Sequence, residues 1–103
     1  MATSTFKNAT DTGVGTSFST SYTVPAATTA VMIGMTVANL GVSQIAIEVK
    51  CAGAYLVKAA AIPSGSSLSV LDGKIILEAG DTVEVKSDTA ASADVIVSIL
   101  EQA

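Results

Sequence analysis

Leu68-Ser69-Val70-Leu71-Asp72-Gly73-Lys74-Ile75-Ile76-Leu77-Glu78-Ala79-Gly80-Asp81-Thr82-Val83-Glu84-Val85-Lys86 reads as three short strands joined by two tight turns. Asp72-Gly73 is a strong hairpin signal, because a type I′ turn needs positive φ at both central residues. Asp tolerates that conformation, and Gly has no Cβ to clash. Glu78-Ala79-Gly80-Asp81 is a second turn, with Gly80 again free to take positive φ. Beyond it Val83 and Val85 alternate with Thr82, Glu84 and Lys86, the pattern of a strand with one buried and one wet face. The stretch predicts antiparallel β structure.

The same period runs outward in both directions. Thr16 to Val24 predicts a first strand, ended by Pro25, which has no N–H to give a ladder. Thr29 to Ala38 predicts a second, with Val31, Ile33, Met35 and Val37 on one face and Ala30, Met32, Gly34, Thr36 and Ala38 on the other. Gly34 marks a candidate bulge. Asn39-Leu40-Gly41 turns the chain into Gln44 to Cys51, where Ile45, Ile47, Val49 and Cys51 face inward and Glu48 and Lys50 face water. Ala52-Gly53 turns it again into Ala54 to Ile62, and Pro63-Ser64-Gly65 forms a loop. After Ser87 to Ala93, Asp94 to Leu100 is a last strand with Val95, Val97 and Ile99 on one face. About eight strands at this spacing, without a helical period, predict an all-β antiparallel sandwich or jelly roll. Residues 16–103 form that single domain.

Residues 1–21 are of different material: Thr, Ser, Gly and Asn dominate. The segment buries too little to offset its ordering entropy, so residues 1–15 are expected as a flexible N-terminal arm, or as a strand ordered on a partner. Phe6 and Phe18 are its natural anchors and the candidate partner contacts. Phe18 is alternatively the start of the first strand.

At 103 residues the chain holds one core. Aromatic residues make up only 4%, so that core is built from Val, Ile, Leu, Met and Ala. Charged residues are 14%, against roughly 25% in ordinary soluble domains. Such a surface is either simply neutral or covered by neighbouring subunits. The net charge is −4 and the five basic residues are all dispersed lysines, which argues against nucleic-acid binding. Cys51 has no internal partner, and its place in an apolar row suggests a buried, inert thiol. No window has the 18 or so apolar residues of a membrane span. The first residues lack the apolar core of a signal peptide, so synthesis and folding in a reducing cytosol are expected.

No catalytic, cofactor-binding or metal-ligating residue is assigned. Asp11-Thr12-Gly13 matches the short signature of aspartic proteases, but no hydrophobic strand precedes it to hold the aspartate against a twin. Asn8-Ala9-Thr10 is a glycosylation sequon without a secretory route. Gly13-Val14-Gly15 lacks the third glycine of a dinucleotide site. With no His in the chain, imidazole chemistry is absent. Asp72, Glu78 and Asp81 sit on turns without calcium-loop spacing.

From Tyr22 onward the chain resembles small virion structural proteins of tailed bacteriophages, of the marine and cyanobacterial type. The resemblance lies in Tyr22-Thr23-Val24-Pro25-Ala26, Thr28-Thr29-Ala30, Tyr55-Leu56-Val57-Lys58 and Ile62-Pro63-Ser64-Gly65-Ser66-Ser67-Leu68. It continues in Leu71-Asp72-Gly73-Lys74 and Leu77-Glu78-Ala79-Gly80-Asp81. It implies a β-sandwich or jelly roll with a non-enzymatic role in the virion. The first expectation is a capsid decoration (cement) protein, a homo-oligomer and specifically a trimer, that staples neighbouring major capsid proteins. The alternative is a tail, neck or fibre module binding host-surface carbohydrate, with Tyr22 and Tyr55 as the aromatic platform.

Overall fold

The computed structural model describes residues 3–103. They form nine strands and no helix: β1 Ser4–Asp11, β2 Ser19–Thr23, β3 Thr29–Asn39, β4 Ile45–Cys51, β5 Ala54–Ile62, β6 Ser67–Ser69, β7 Ile75–Leu77, β8 Thr82–Ser87 and β9 Ala93–Gln102. Every pairing is antiparallel. β4 pairs with β5, β3 with both β6 and β7, β2 with β8, and β1 with β9. These pairs nest one outside the next, as in a single long ribbon closed at the β4–β5 end. The ribbon is rolled so that β9 also meets β3 and β8 meets β4. The result is two stacked sheets, β1-β9-β3 edged by β6 and β7, and β2-β8-β4-β5. This is the jelly-roll form of the β-sandwich.

The core lies between the sheets. Met32, Met35 and Val37 of β3 and Val95, Val97 and Ile99 of β9 face Ile45, Ile47 and Val49 of β4 and Val83 and Val85 of β8. All are buried, and each contributes roughly 1.5–3 kcal/mol by leaving water. The period-two readings of β4, β8 and β9 hold in full. Asn39 is a buried polar group whose partners are all present. Its amide donates to the carbonyls of Ser43 and Ile62 and accepts from the Gly41 N–H, which ties the β3–β4 turn to the end of β5.

The structure corrects the sequence reading in three places. First, Asp72-Gly73 is not a hairpin turn. β6 and β7 do not pair with each other; they lie end to end along β3, at Thr36–Ala38 and at Ala30–Met32. Val70 to Lys74 is an excursion between two halves of one broken edge strand, and Asp72 keeps a negative φ. The turn with two positive φ values is Ala52-Gly53, at 51° and 81°, closing the β4–β5 hairpin at the Cys51–Ala54 pair. The chain changes sheets at the second turn, where Asp81 N–H bonds to the Glu78 carbonyl and Gly80 has φ 86°.

Second, the inward face of β3 switches partway along. The register shifts between Met32 and Gly34, so Ile33 is a bulged residue without a partner on β9. Ala30 and Met32 therefore point inward, whereas Val31 and Ile33 do not. Third, the expected arm is β1 over residues 4–11, paired with β9 from Ser4–Gln102 to Asp11–Val95. It is a strand ordered on its own chain. The first strand of the expected sandwich begins at Ser19 rather than Thr16.

An alanine at φ 51° carries a left-handed penalty on the order of 1 kcal/mol, which Asn tolerates better. Ala52→Asn is therefore expected to raise stability by about 0.5 kcal/mol, read as a higher urea midpoint at unchanged slope.

Candidate interaction surfaces

The two outer faces of the sandwich differ in kind. On the β1-β9-β3 sheet, cross-strand register brings Phe6 opposite Leu100, Leu100 opposite Val31, and Val31 opposite Ile76. Directly paired residues share a face, so these four form one apolar row from edge to edge of the sheet. Ile33 in the bulge widens it, and Ile96 lies on the same face beyond Ser98, between Thr10 and Thr36. Phe6 is 75% exposed, Ile76 69%, Ile96 47% and Ile33 41%. Phe6, Asn8, Ile33 and Ser98 surround a shallow hollow of about 360 Å³, with Lys7 and Ile99 at its margin. Of the strand residues on this face only Asp94 is charged; it lies at the far end, where it accepts the Gly13 N–H.

The outer face of the other sheet is charged. Glu48 on β4 is opposite Lys86 on β8, with Nζ 3.8 Å from the carboxylate, and Lys50 is opposite Glu84. Phe18, just before β2, is folded onto this face. Lys50 Nζ is 4.6 Å from its ring centroid and Lys86 Nζ is 5.2 Å. The Tyr55 ring is 6.3 Å away at a tilt of 60°. Phe18 is thus half-buried in a cation–π cluster that seats the chain entering β2. Phe6 and Phe18, the two contacts expected from sequence, lie on opposite faces, and only Phe6 presents an open ring. Periodicity along single strands gave no signal for Ile33, Ile76 and Ile96, whose grouping needs the cross-strand register.

The proposed sugar platform divides in the same way. Tyr22 is buried, and its hydroxyl donates to Glu101, whose carboxylate also meets Lys7 at 3.6 Å. Burial first, and then the bond to Glu101 and its charge, push the Tyr22 hydroxyl well above its usual range. This link ties β2 of one sheet to β9 and β1 of the other. Tyr55 is 46% exposed, with Lys50 and Lys58 at 5.0 and 5.3 Å over its ring.

The remaining polar motifs serve turns and strand ends. The Asp11 carboxylate accepts Ser19 Oγ at 2.6 Å and Ser21 Oγ at 3.2 Å. Asp81 accepts the Glu78 N–H at 2.8 Å. Among the described residues no three of His, Cys, Asp and Glu are grouped to hold a metal ion. Cys51 is buried, and burial, with a smaller push from the Asp81 charge, raises its thiol to about 11.

No family model and no curated protein matches the chain. Among solved structures it is similar to a chain of the Bacillus endospore appendages, which form "a novel family of disulfide-linked pili". The likeness has a TM-score of 0.53 at 17% identity and covers 99% of this chain and 88% of that one. It establishes a shared fold. Here the one cysteine faces the core, so the fold occurs without a thiol on its surface.

Proposed function

We propose that this chain is a non-enzymatic structural protein of a bacteriophage virion, a capsid decoration protein that self-associates and covers junctions between major capsid proteins. The observation that carries the reading is the outer face of the β1-β9-β3 sheet, with Phe6, Ile33, Ile76 and Ile96 exposed on it and Asp94 its only charged strand residue. A large exposed apolar surface of this kind marks an interaction site. Many identical copies, each held weakly, make such a contact collectively strong. The resemblance of Tyr22 onward to phage virion proteins supports the setting. The fold shared with a pilus protein supports assembly in many copies. A tail or fibre module binding carbohydrate is the second reading, and the exposed Tyr55 is what favours it.

The test titrates the protein onto empty capsids, onto isolated tails and onto a glycan array. Capsid binding is expected, and Ile76→Asp with Ile96→Asp should weaken it at least tenfold, the equivalent of about 1.4 kcal/mol. Tyr55→Ala should leave it unchanged. Binding confined to tails or glycans, or capsid binding indifferent to the double substitution, would overturn the reading.

A further inference from the structure

Sheet edges with unpaired N–H and C=O groups template further strands unless they are short, bulged, broken or blocked. Of the four edges here, three are protected. β2 is short, shifts register between Thr20 and Tyr22, and is followed by Pro25. β5 has two register shifts against β4 and a left-handed residue, Ala59 at φ 55°. The β6–β7 edge is broken by the excursion at Val70 to Lys74. β1 alone is regular throughout, with no register shift from Ser4 to Asp11.

The ladder shows which β1 groups are free. Thr3 N–H donates to the Ala103 carbonyl at 2.7 Å, and Ala103 N–H donates back to Thr3 at 3.0 Å. An antiparallel ladder alternates bonded and non-bonded pairs. Thr5, Lys7, Ala9 and Asp11 therefore bond to β9, while Ser4, Phe6, Asn8 and Thr10 turn their N–H and C=O outward. All four of these residues are exposed.

We infer that β1 is the docking strand for a second copy of this chain, paired antiparallel about a two-fold axis at Asn8. The pairing gives a structural form to the self-association in the proposed function, and it rests on that reading. The outward N–H and C=O groups of one copy match those of a second, and charge bears on the register. The strand carries one lysine and one aspartate, and its exposed face is neutral, so that face adds no like-charge contact to the general repulsion between two copies of net charge −4. An axis at Lys7 would set two ammonium groups face to face, which is destabilising. An axis at Phe6 or Ala9 shortens the overlap. An axis at Asn8 pairs Thr5 through Asp11 with the same span of the second copy. Phe6 then lies opposite the partner's Thr10, and Lys7 opposite the partner's Ala9, diagonal both to the partner's Asp11 and to the partner's Lys7, so like charges are offset rather than face to face. Outward groups meet outward groups, and the two apolar rows join into one continuous sheet face.

Cysteine cross-linking reads the register directly. At an Asn8 axis the two Asn8 Cα atoms form a bonded pair about 5.5 Å apart, within disulfide reach. The two Phe6 Cα atoms are separated along the strand by roughly 14 Å at about 3.4 Å per residue, beyond reach. Light scattering of the wild-type protein should give a dimer. Under mild oxidation Asn8→Cys should become covalent dimer and Phe6→Cys should not, while Phe6→Cys with Thr10→Cys should. Asn8→Lys, at an exposed position, should lower the dimer affinity at least tenfold and keep the wild-type melting temperature when both proteins are measured dilute enough to be monomeric. A trimer, a monomer, or a dimer cross-linked through Phe6→Cys alone would overturn the inference. A monomer that still binds capsids would overturn it and leave the capsid role standing. A dimer that binds no capsid would do the reverse.

Discussion

Met32→Ala is expected to destabilise the protein by about 3 kcal/mol, and its neighbour Ile33→Ala by less than about 1 kcal/mol. Met32 is fully buried, directly opposite Ile99 on β9 and Ile75 on β7. Removing its side chain leaves a void between sheets that the ladders on both sides of β3 hold apart. The cost is therefore the lost transfer energy plus a cavity that cannot collapse. Ile33 is the larger loss by strand periodicity alone, since it shares a phase with Met35 and Val37. The bulge makes the difference: one extra residue rotates the strand, so Ile33 is 41% exposed while Met35 and Val37 stay inside. Urea unfolding of both variants at equal slope decides the matter. At total stabilities of about 5–15 kcal/mol the Met32 loss is a large fraction of the whole. Equal losses at the two positions would mean that the register runs unbroken through Gly34.

The contrast shows what the sequence carries. Where a strand is straight and flanked on both sides, as in β4, β8 and β9, alternation alone reports the buried face, because each inward position meets the opposite sheet. Where a bulge intervenes, alternation is right only up to the extra residue. Gly34 flagged the place, yet the sign of the switch depends on β9. Turn residues report that the chain deviates, not what it pairs with afterwards. Asp72-Gly73 fits a hairpin locally, but β6 and β7 each gain more from β3, which offers one long flank to both. Ala52-Gly53 makes the type I′ turn with a residue that propensity disfavours at its first position, held there by the Cys51–Ala54 pair. The candidate surface was legible only in Phe6, a large apolar group in a polar segment. Its companions sit on three other strands, and pairing is the information that local reading lacks.

β1 is the extreme case, and it yields the last test. Its residues Ser-Thr-Phe-Lys-Asn-Ala-Thr-Asp are almost all exposed, so nothing in their hydropathy asks for order. What orders them is the main-chain ladder to β9, whose residues lie at the opposite end of the chain. Deletion of residues 1–11 is expected to lower the melting temperature by at least about 5 °C and to turn a soluble protein into one that sediments. The truncation uncovers the edge of β9 from Val95 to Gln102, a long regular stretch whose inward row is Val95, Val97 and Ile99. Exposed edges of that length and composition pair with one another. The deletion also removes the Lys7 contact to Glu101 at the corner where Tyr22 joins the two sheets. Phe6→Ser is the control: it keeps β1 and its ladder and removes only an exposed side chain, so that variant should stay soluble with its melting temperature within about 2 °C. If the truncated chain is as soluble and as stable as the full one, residues 4–11 behave as an arm and the β1–β9 ladder contributes nothing in solution. If it aggregates while Phe6→Ser does not, the first strand acts as the cover of a sheet edge, and the edge that β1 itself presents is the one left for a neighbour.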